Sequence, residues 1–288
     1  MADHDAVVHS GDAAACEAVV QVYQSASGAV PALRGIDARF GRGTITVVMG
    51  PSGAGKSTLL RLLACLERPV AGEVRIGGEP TAHLSGSARR RFAAQRVGYV
   101  FQQPRKNLLE YLSVTEHVAL AARMRSLGRP ATPDVGPSSA EAVERAGLAA
   151  VAGRRPVDLS AGEQQRLAFT MAVAGRPDLV IGDEPTAELD PLDTTKLVSL
   201  LPALTAQGQT FVLSSHDPAL IAAADRILVV RDGCLAAQSG ADGELLAAVD
   251  DAGRIQLPES VVADYAGGTA RLTVAGDGAD RTIRIERP

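Results

Sequence analysis

The chain has 288 residues, 46% of them hydrophobic, with 3% aromatics, no Trp and a formal net charge of −4. That length accommodates one large α/β domain with a small appendage, around a core built from Ala, Val and Leu, and the acidic balance argues against a general nucleic-acid binder. Cys16, Cys65 and Cys234 are too few and too scattered for a disulfide framework or zinc site, so a reducing cytosol is expected, with no secretion leader and no run near the ~20 apolar residues of a membrane span.

Residues 1–17 are short of bulky apolar side chains and carry Asp3, Asp5 and Asp12, so a disordered lead-in is expected. A first strand starts at Val19-Val20-Gln21-Val22-Tyr23. The run Thr44-Ile45-Thr46-Val47-Val48-Met49 reads as a buried strand, and 59–66 reads as a helix. Between them lies Gly50-Pro51-Ser52-Gly53-Ala54-Gly55-Lys56-Ser57-Thr58, a complete phosphate-binding loop. Such a loop works only between a strand and a helix N-terminus, where several backbone N–H groups and the helix dipole converge on one anion. Glycines let the backbone turn and approach the phosphates. Lys56 is placed to reach the β- and γ-phosphates, and the Ser57 hydroxyl to complete a Mg²⁺ shell. The chain therefore reads as a binder of a nucleoside triphosphate.

Further along, 72–78 reads as a strand closed by a glycine turn, and 97–101 as a second buried strand ending at Gln102-Gln103. From 104 to 175 the pattern is helical. One helix is expected at 114–127, a proline-bearing loop at 128–136, and a helix opened by a Ser138/Glu141 capping box. Strands return at 179–182, 210–214 and 227–230, with helical segments at 194–204 and 218–224. Alternating strands and helices imply a mostly parallel sheet with right-handed crossovers and an inserted helical subdomain at 104–175. From about 249 the pattern changes to short polar–apolar alternations at 253–258, 271–274 and 282–285. The expected division is thus a main domain at 18–246 and a β-rich appendage at 247–288. No internal repeat is found.

Leu179-Val180-Ile181-Gly182-Asp183-Glu184-Pro185 is an apolar strand ending in two carboxylates. At the C-terminal end of a strand both can face the crevice where ligands sit in open α/β sheets. Asp183 suits the Mg²⁺ position opposite Ser57, and Glu184 suits a general base on the water that attacks the γ-phosphate. Taken alone, such a pair often only caps a turn; the phosphate loop is what gives it meaning.

Asp158-Leu159-Ser160-Ala161-Gly162-Glu163-Gln164-Gln165-Arg166 resembles the signature of ABC transporter ATP-binding subunits, Leu-Ser-Gly-Gly-Gln. The likeness is greatest to the lipoprotein-releasing and macrolide-exporting type. Ala161 departs from the pattern by one methyl where the backbone approaches a triphosphate. Ser160 and Glu163 also read as an ordinary helix capping box, and the two readings are compatible because the helix N-terminus is itself the anion site.

The resemblance implies the P-loop NTPase fold of the ABC ATPase type, with ATP and Mg²⁺ as cofactors. It assigns Gln102 to Mg²⁺ and the attacking water, His216 to the γ-phosphate, Tyr23 to adenine stacking, and Asp190 to a loop that crosses to a second subunit. Ser160, Ala161, Gly162 and Glu163 would act on the partner's ATP. The implied assembly is a dimer, of this chain or with a related ATPase, closed by an isologous interface and working on a separate transmembrane permease. The resemblance thus places the chain in the cytoplasm, peripheral on the inner face of the cell membrane, and no nucleic acid is expected. Two alternatives stay open: a motor that drives a membrane complex without transport, and a soluble regulatory ABC ATPase. The tail's Asp251-Ala252-Gly253-Arg254-Ile255-Gln256-Leu257-Pro258 resembles the opening of swapped-hairpin transcription regulators, against which a plain β appendage is weighed.

Overall fold

The computed structural model describes residues 11–25, 28–127, 138–239, 245–247, 271–275 and 282–286. Its centre is a sheet of seven strands. β3 (Ile45–Met49), β6 (Val97–Val100), β7 (Leu179–Asp183), β8 (Phe211–Ser214) and β9 (Arg226–Arg231) pair in parallel, in the order β9-β3-β8-β7-β6. β10 (Cys234–Ser239) and β11 (Leu245–Ala247) continue it antiparallel beyond β9. The parallel strands are continuous apolar runs because helices cover both faces.

Alternation along β3 divides the core. Val48 faces α1 (Lys56–Leu63), in one cluster with Leu59, Leu60, Leu62 and Leu63. Val47 points to the other face, toward α5 (Ala161–Val173) and α6 (Pro191–Thr205), where Phe169 stacks on Phe211 at 5.7 Å. A third cluster joins α3 (Val114–Ser126), α4 (Ser139–Arg145) and Leu167 of α5. Since Ala168 and Phe169 belong to the sheet cluster and Leu167 to this one, α5 is shared between the sheet and the helical part. The short α7 (Pro218–Ala222) precedes β9.

A second, antiparallel sheet comprises β1 (Asp12–Ser25), β2 (Gly28–Gly41), β4 (Ala71–Ile76) and the short β5 (Glu79–Pro80), in the order β2-β1-β4-β5. It corrects the expected lead-in. Residues 12–17 form the start of β1, with Ala14 opposite both Phe40 and Ile76 and Ala13, Ala14, Ala15 and Cys16 all buried. Small side chains fill a shallow space there, and a search for bulky apolar residues passes over them. Residues 1–10 lie outside those described.

β2, β10 and α2 (Gly86–Arg96) were not foreseen. α2 has no fully buried residue, so it carries little of an apolar stripe to read. The expected loop at 128–136 and strand at 253–258, with the regulator-like segment 251–258, fall outside the described residues. β12 (Arg271–Ala275) and β13 (Thr282–Glu286) form an antiparallel pair where strands were expected. The anticipated domain boundary after residue 246 falls inside β11, whose Ala247 pairs with Ala237.

Candidate functional site

β3 leads into the phosphate loop and α1 leaves it. Two of its glycines are required by the chain packed behind them. Gly50 has φ 144°, and a Cβ there would lie 2.0 Å from the Val230 carbonyl oxygen. Gly55, the residue before α1, has φ 107°, and its Cβ would lie 2.5 Å from the Ala32 carbonyl. No side chain caps α1 and no acidic residue stands in its first turn, so its N-terminal N–H groups and dipole are left for an anion. Lys56 Nζ donates to the Gly50 and Pro51 carbonyls, at 2.6 and 3.0 Å, which holds the ammonium against its own loop.

The loop forms one wall of an open cleft of about 540 Å³. Tyr23, Ser52, Gly53, Gly55, Lys56, Ser57 and Thr58 line it on that side, and Gln102, Asp183, Glu184 and His216 line it from the strand ends. Gly50, Pro51 and Ala54 do not line it; Ala54 is buried in the core beneath. Ser160, Ala161, Gly162, Glu163 and Asp190 are also absent from its walls, so the subunit by itself does not bring them to the nucleotide cleft.

Asp183 closes β7. Strand alternation would turn Glu184 to the opposite face, but Glu184 takes φ 47°, a left-handed backbone that returns its side chain to the cleft. That conformation is costly for a residue with a Cβ, by roughly 1–3 kcal/mol, and is held by its surroundings. Ser214, fully buried at the end of β8, is the holding residue. Its hydroxyl donates to Asp183 Oδ1 at 2.7 Å and accepts the Glu184 N–H at 2.9 Å, while its carbonyl accepts the same N–H at 3.1 Å. Sequence reading passed Ser214 by; its one signal was a hydroxyl at the end of a buried strand. His216 Nε2 lies 3.5 Å from Glu184 Oε1.

Tyr23 is anchored from the outer side of the loop helix. Its hydroxyl donates to Glu67 Oε2, and Glu67 Oε1 accepts from Arg61 of α1 at 3.2 Å. Burial, followed by the Glu67 carboxylate, pushes the Tyr23 hydroxyl above its ordinary pKa, so it stays a donor. At the opposite wall, Asn107 clamps the end of β6 beside Gln102: its Oδ1 accepts the Phe101 N–H at 2.9 Å and its Nδ2 donates to the Tyr99 carbonyl at 2.7 Å. Asn107 too was missed.

Ser160 caps α5. Its Oγ accepts the Glu163 N–H at 3.2 Å, and Glu163 Oε2 accepts the Ser160 N–H at 2.8 Å. The glutamate at the fifth signature place is thus engaged in a capping box. Asp190 caps α6 with its side chain alone, its Oδ1 accepting the Asp193 N–H at 2.8 Å.

Residues 33–187 match the family model described as ABC transporter. The chain belongs to the ABC transporter ATPase family. It is 40% identical over 208 residues to the lipoprotein-releasing system ATP-binding protein LolD of Anaeromyxobacter dehalogenans, covering 72% of this chain and 85% of that one. It is 36% identical over 209 residues to the macrolide export ATP-binding/permease protein MacB 1 of Aeromonas hydrophila, but spans only 31% of that longer chain. Among solved structures it resembles the ATP-binding cassette MJ0796, in a dimeric post-hydrolysis state bound to ADP and Pi, with TM-score 0.71, 30% identity, 80% of this chain and 100% of that chain. A second dimeric structure of the same cassette gives a TM-score of 0.70. The ABC ATPase fold expected from the signature is the fold observed. This chain is an ATP-binding, ATP-hydrolysing cassette of the kind that powers membrane ABC transporters through ATP-driven pairing. No described helix is long and apolar enough to cross a membrane.

Proposed function

We propose that this chain is the ATPase subunit of a transporter of the lipoprotein-releasing and macrolide-exporting type, two copies (or one copy and a related ATPase) working on a separate permease at the inner face of the membrane. Likeness over 85% of the LolD chain supports this more than likeness over 31% of the MacB chain. In this reading Tyr23 stacks on adenine. The loop N–H groups and Lys56 hold the phosphates. Ser57, Gln102 and Asp183 offer only oxygen donors, which suits a hard cation such as Mg²⁺. Bound there, Mg²⁺ would neutralise phosphate charge. Among the described residues no group of three or more His, Cys, Asp or Glu could form an all-protein metal cage, in keeping with a cation that is also held by phosphate oxygens.

Glu184 takes the proton from the attacking water, so that the water oxygen bonds to the γ-phosphorus as the β–γ bridge breaks and ADP leaves with the bridging oxygen. His216 contacts the γ-phosphate and lies within reach of Glu184. Ser160, Ala161, Gly162 and Glu163 engage the ATP held by the partner's loop, with Asp190 on the crossing strand of chain. The signature's position outside this subunit's own cleft suits that composite arrangement.

The observation that carries the reading is Glu184 turned into the phosphate cleft beside Asp183 by a left-handed backbone. Its test is Glu184→Gln. The amide fills the same space but accepts no proton, so ATP binding persists, turnover falls to background and the closed dimer accumulates. Near-normal phosphate release by the purified variant would remove Glu184 from the chemistry.

A further inference from the structure

Asp193 stands in the first turn of α6, an ordinary place for a carboxylate that faces water and complements the helix dipole. Here it is turned inward. Its Oδ1 accepts from Arg166 Nη1 of α5 at 2.7 Å, with side-chain exposures of 18% and 9%, and from Lys196 Nζ at 3.2 Å. Its Oδ2 occupies the place that a Cβ on Gly162 would take, 1.9 Å from that position. The signature's Gly162 therefore packs directly against the Asp193 carboxylate, and a side chain there would displace it. Burial pushes the Asp193 carboxyl up, but Arg166 and Lys196 outweigh it and keep the group below the usual carboxylate range.

The same residue reaches the crossing loop by its backbone, since the Asp193 N–H donates to Asp190 Oδ1 at 2.8 Å. One residue thus touches the two segments that do not line their own subunit's cleft. Stability alone is a weak reason for such a pair, because a largely buried ion pair is often no more stabilising than apolar side chains of the same volume. What it adds is direction: a guanidinium on one helix bonded to a carboxylate on the other, whose second oxygen packs on Gly162.

We propose that Asp193 is a positioning residue that fixes the N-terminus of the signature helix in register with the Asp190 loop, so that both meet the partner's nucleotide together. The proposal rests on the roles assigned above to the signature and to Asp190. Loosening the link leaves the cleft of Tyr23 and Lys56 intact and weakens only steps that need two subunits.

The experiment uses the full chain with Asp193→Ala, Asp193→Asn, Arg166→Met and the Asp193→Ala/Arg166→Met double variant. Four quantities are read: Tm, affinity for fluorescent ADP, kcat at saturating ATP, and ATP-driven dimerisation by sedimentation in a Glu184→Gln background. Asp193→Ala is expected to keep ADP affinity within about twofold while kcat and dimerisation fall about tenfold, the factor for one charge-assisted hydrogen bond. Asp193→Asn, which keeps an oxygen acceptor for Arg166, recovers part of the loss. The double variant is no worse than the single ones, because one link is broken in each. Losses that add, or that follow Tm and ADP affinity down together, overturn the proposal in favour of plain folding stability. Should Asp193→Ala fold poorly, Asp193→Asn and Arg166→Met decide alone: wild-type dimerisation in both overturns it. A Ser160→Glu and Asp190→Ala pair of controls separates the two layers. If these dimerise normally, the roles of the signature and loop fail; if they are impaired while the Asp193 variants are not, only the present inference fails.

Discussion

Ser214 decides how two adjacent carboxylates come to share one cleft. Its hydroxyl is donor to Asp183 and acceptor for the Glu184 N–H, so it stabilises the strained turn and orients the Asp183 carboxylate at once. Ser214→Ala deletes both side-chain bonds; the Glu184 N–H keeps the Ser214 carbonyl, so the main loss is the charge-assisted bond to Asp183, worth about 1.5–3 kcal/mol. The expected result is kcat reduced about tenfold or more, with ATP affinity little changed, since the loop N–H groups and Lys56 are untouched. Steady-state phosphate release over a range of ATP concentrations checks this; a rise in KM with kcat unaltered would place Ser214 in binding instead. Ala161 is the second residue of interest. It is exposed at the first position of α5, directly after the cap Ser160. If its methyl crowds the γ-phosphate across the dimer, Ala161→Gly tightens ATP-driven dimerisation by on the order of 1 kcal/mol. Sedimentation in a Glu184→Gln background measures it, and equal or weaker association means the backbone already accommodates the methyl.

At the scale of elements, the connection from β6 to α3 is held by side chains that replace missing backbone partners. Asn107 secures the strand end, and His117 secures the rest. His117 is fully buried; its Nε2 accepts the Leu109 N–H at 2.8 Å, and its Nδ1 lies 2.8 Å from the Ser113 carbonyl, to which it donates. Only the neutral ring satisfies both, because a proton on Nε2 would face another N–H. Burial, the main cause, pulls the His117 pKa below its ordinary value of 6.5, against smaller opposing effects from the Ser113 carbonyl and Glu116. The unfolded chain therefore takes up the proton first, and the stability due to His117 is full above about pH 6.5 and lost progressively as the pH falls below it. Thermal unfolding between about pH 7.5 and about pH 5.5 should show the Tm advantage of wild type over His117→Gln narrowing as the pH drops. A difference that stays constant across that range would mean that His117 titrates alike in both states.

For the whole molecule, the residues that line the cleft lie between Tyr23 and His216, and the last parallel strand, β9, ends at Arg231. β11 still pairs with β10, so a useful cut leaves it in place. A chain ending at residue 250 is expected to fold, bind ATP and hydrolyse it at a rate within about twofold of the full chain, because a two-stranded ribbon such as β12–β13 adds little stability of its own. Phosphate release and light scattering on both chains test this. An insoluble or inactive truncation would make residues 251–288 part of the main core. Specific retention of duplex DNA by the full chain at physiological salt, lost on truncation, would favour the regulator-like reading of 251–258.

The phosphate loop, the Asp183-Glu184 strand end and the signature were legible because each is a contiguous run whose chemistry depends on local backbone: a strand, a turn and a helix start. The parallel sheet was legible for a related reason, since strands buried on both faces are unbroken apolar runs. What stayed hidden depends on partners distant in sequence. The Ala13 to Cys16 segment is a strand only because β2 and β4 lie on either side of it. α2 has no fully buried residue and sets only Phe92 and Ala93 on the core, so little periodicity marks it. Ser214, Asn107, Glu67 and Asp193 are ordinary polar residues until tertiary packing sets a carboxylate, a strand end, a tyrosine or a glycine against them. The sequence by itself determined which groups can meet a triphosphate. Only the tertiary structure decided which side chains hold those groups in place, because bonds such as Ser214 to Asp183 or Tyr23 to Glu67 join distant segments and leave no local pattern to read.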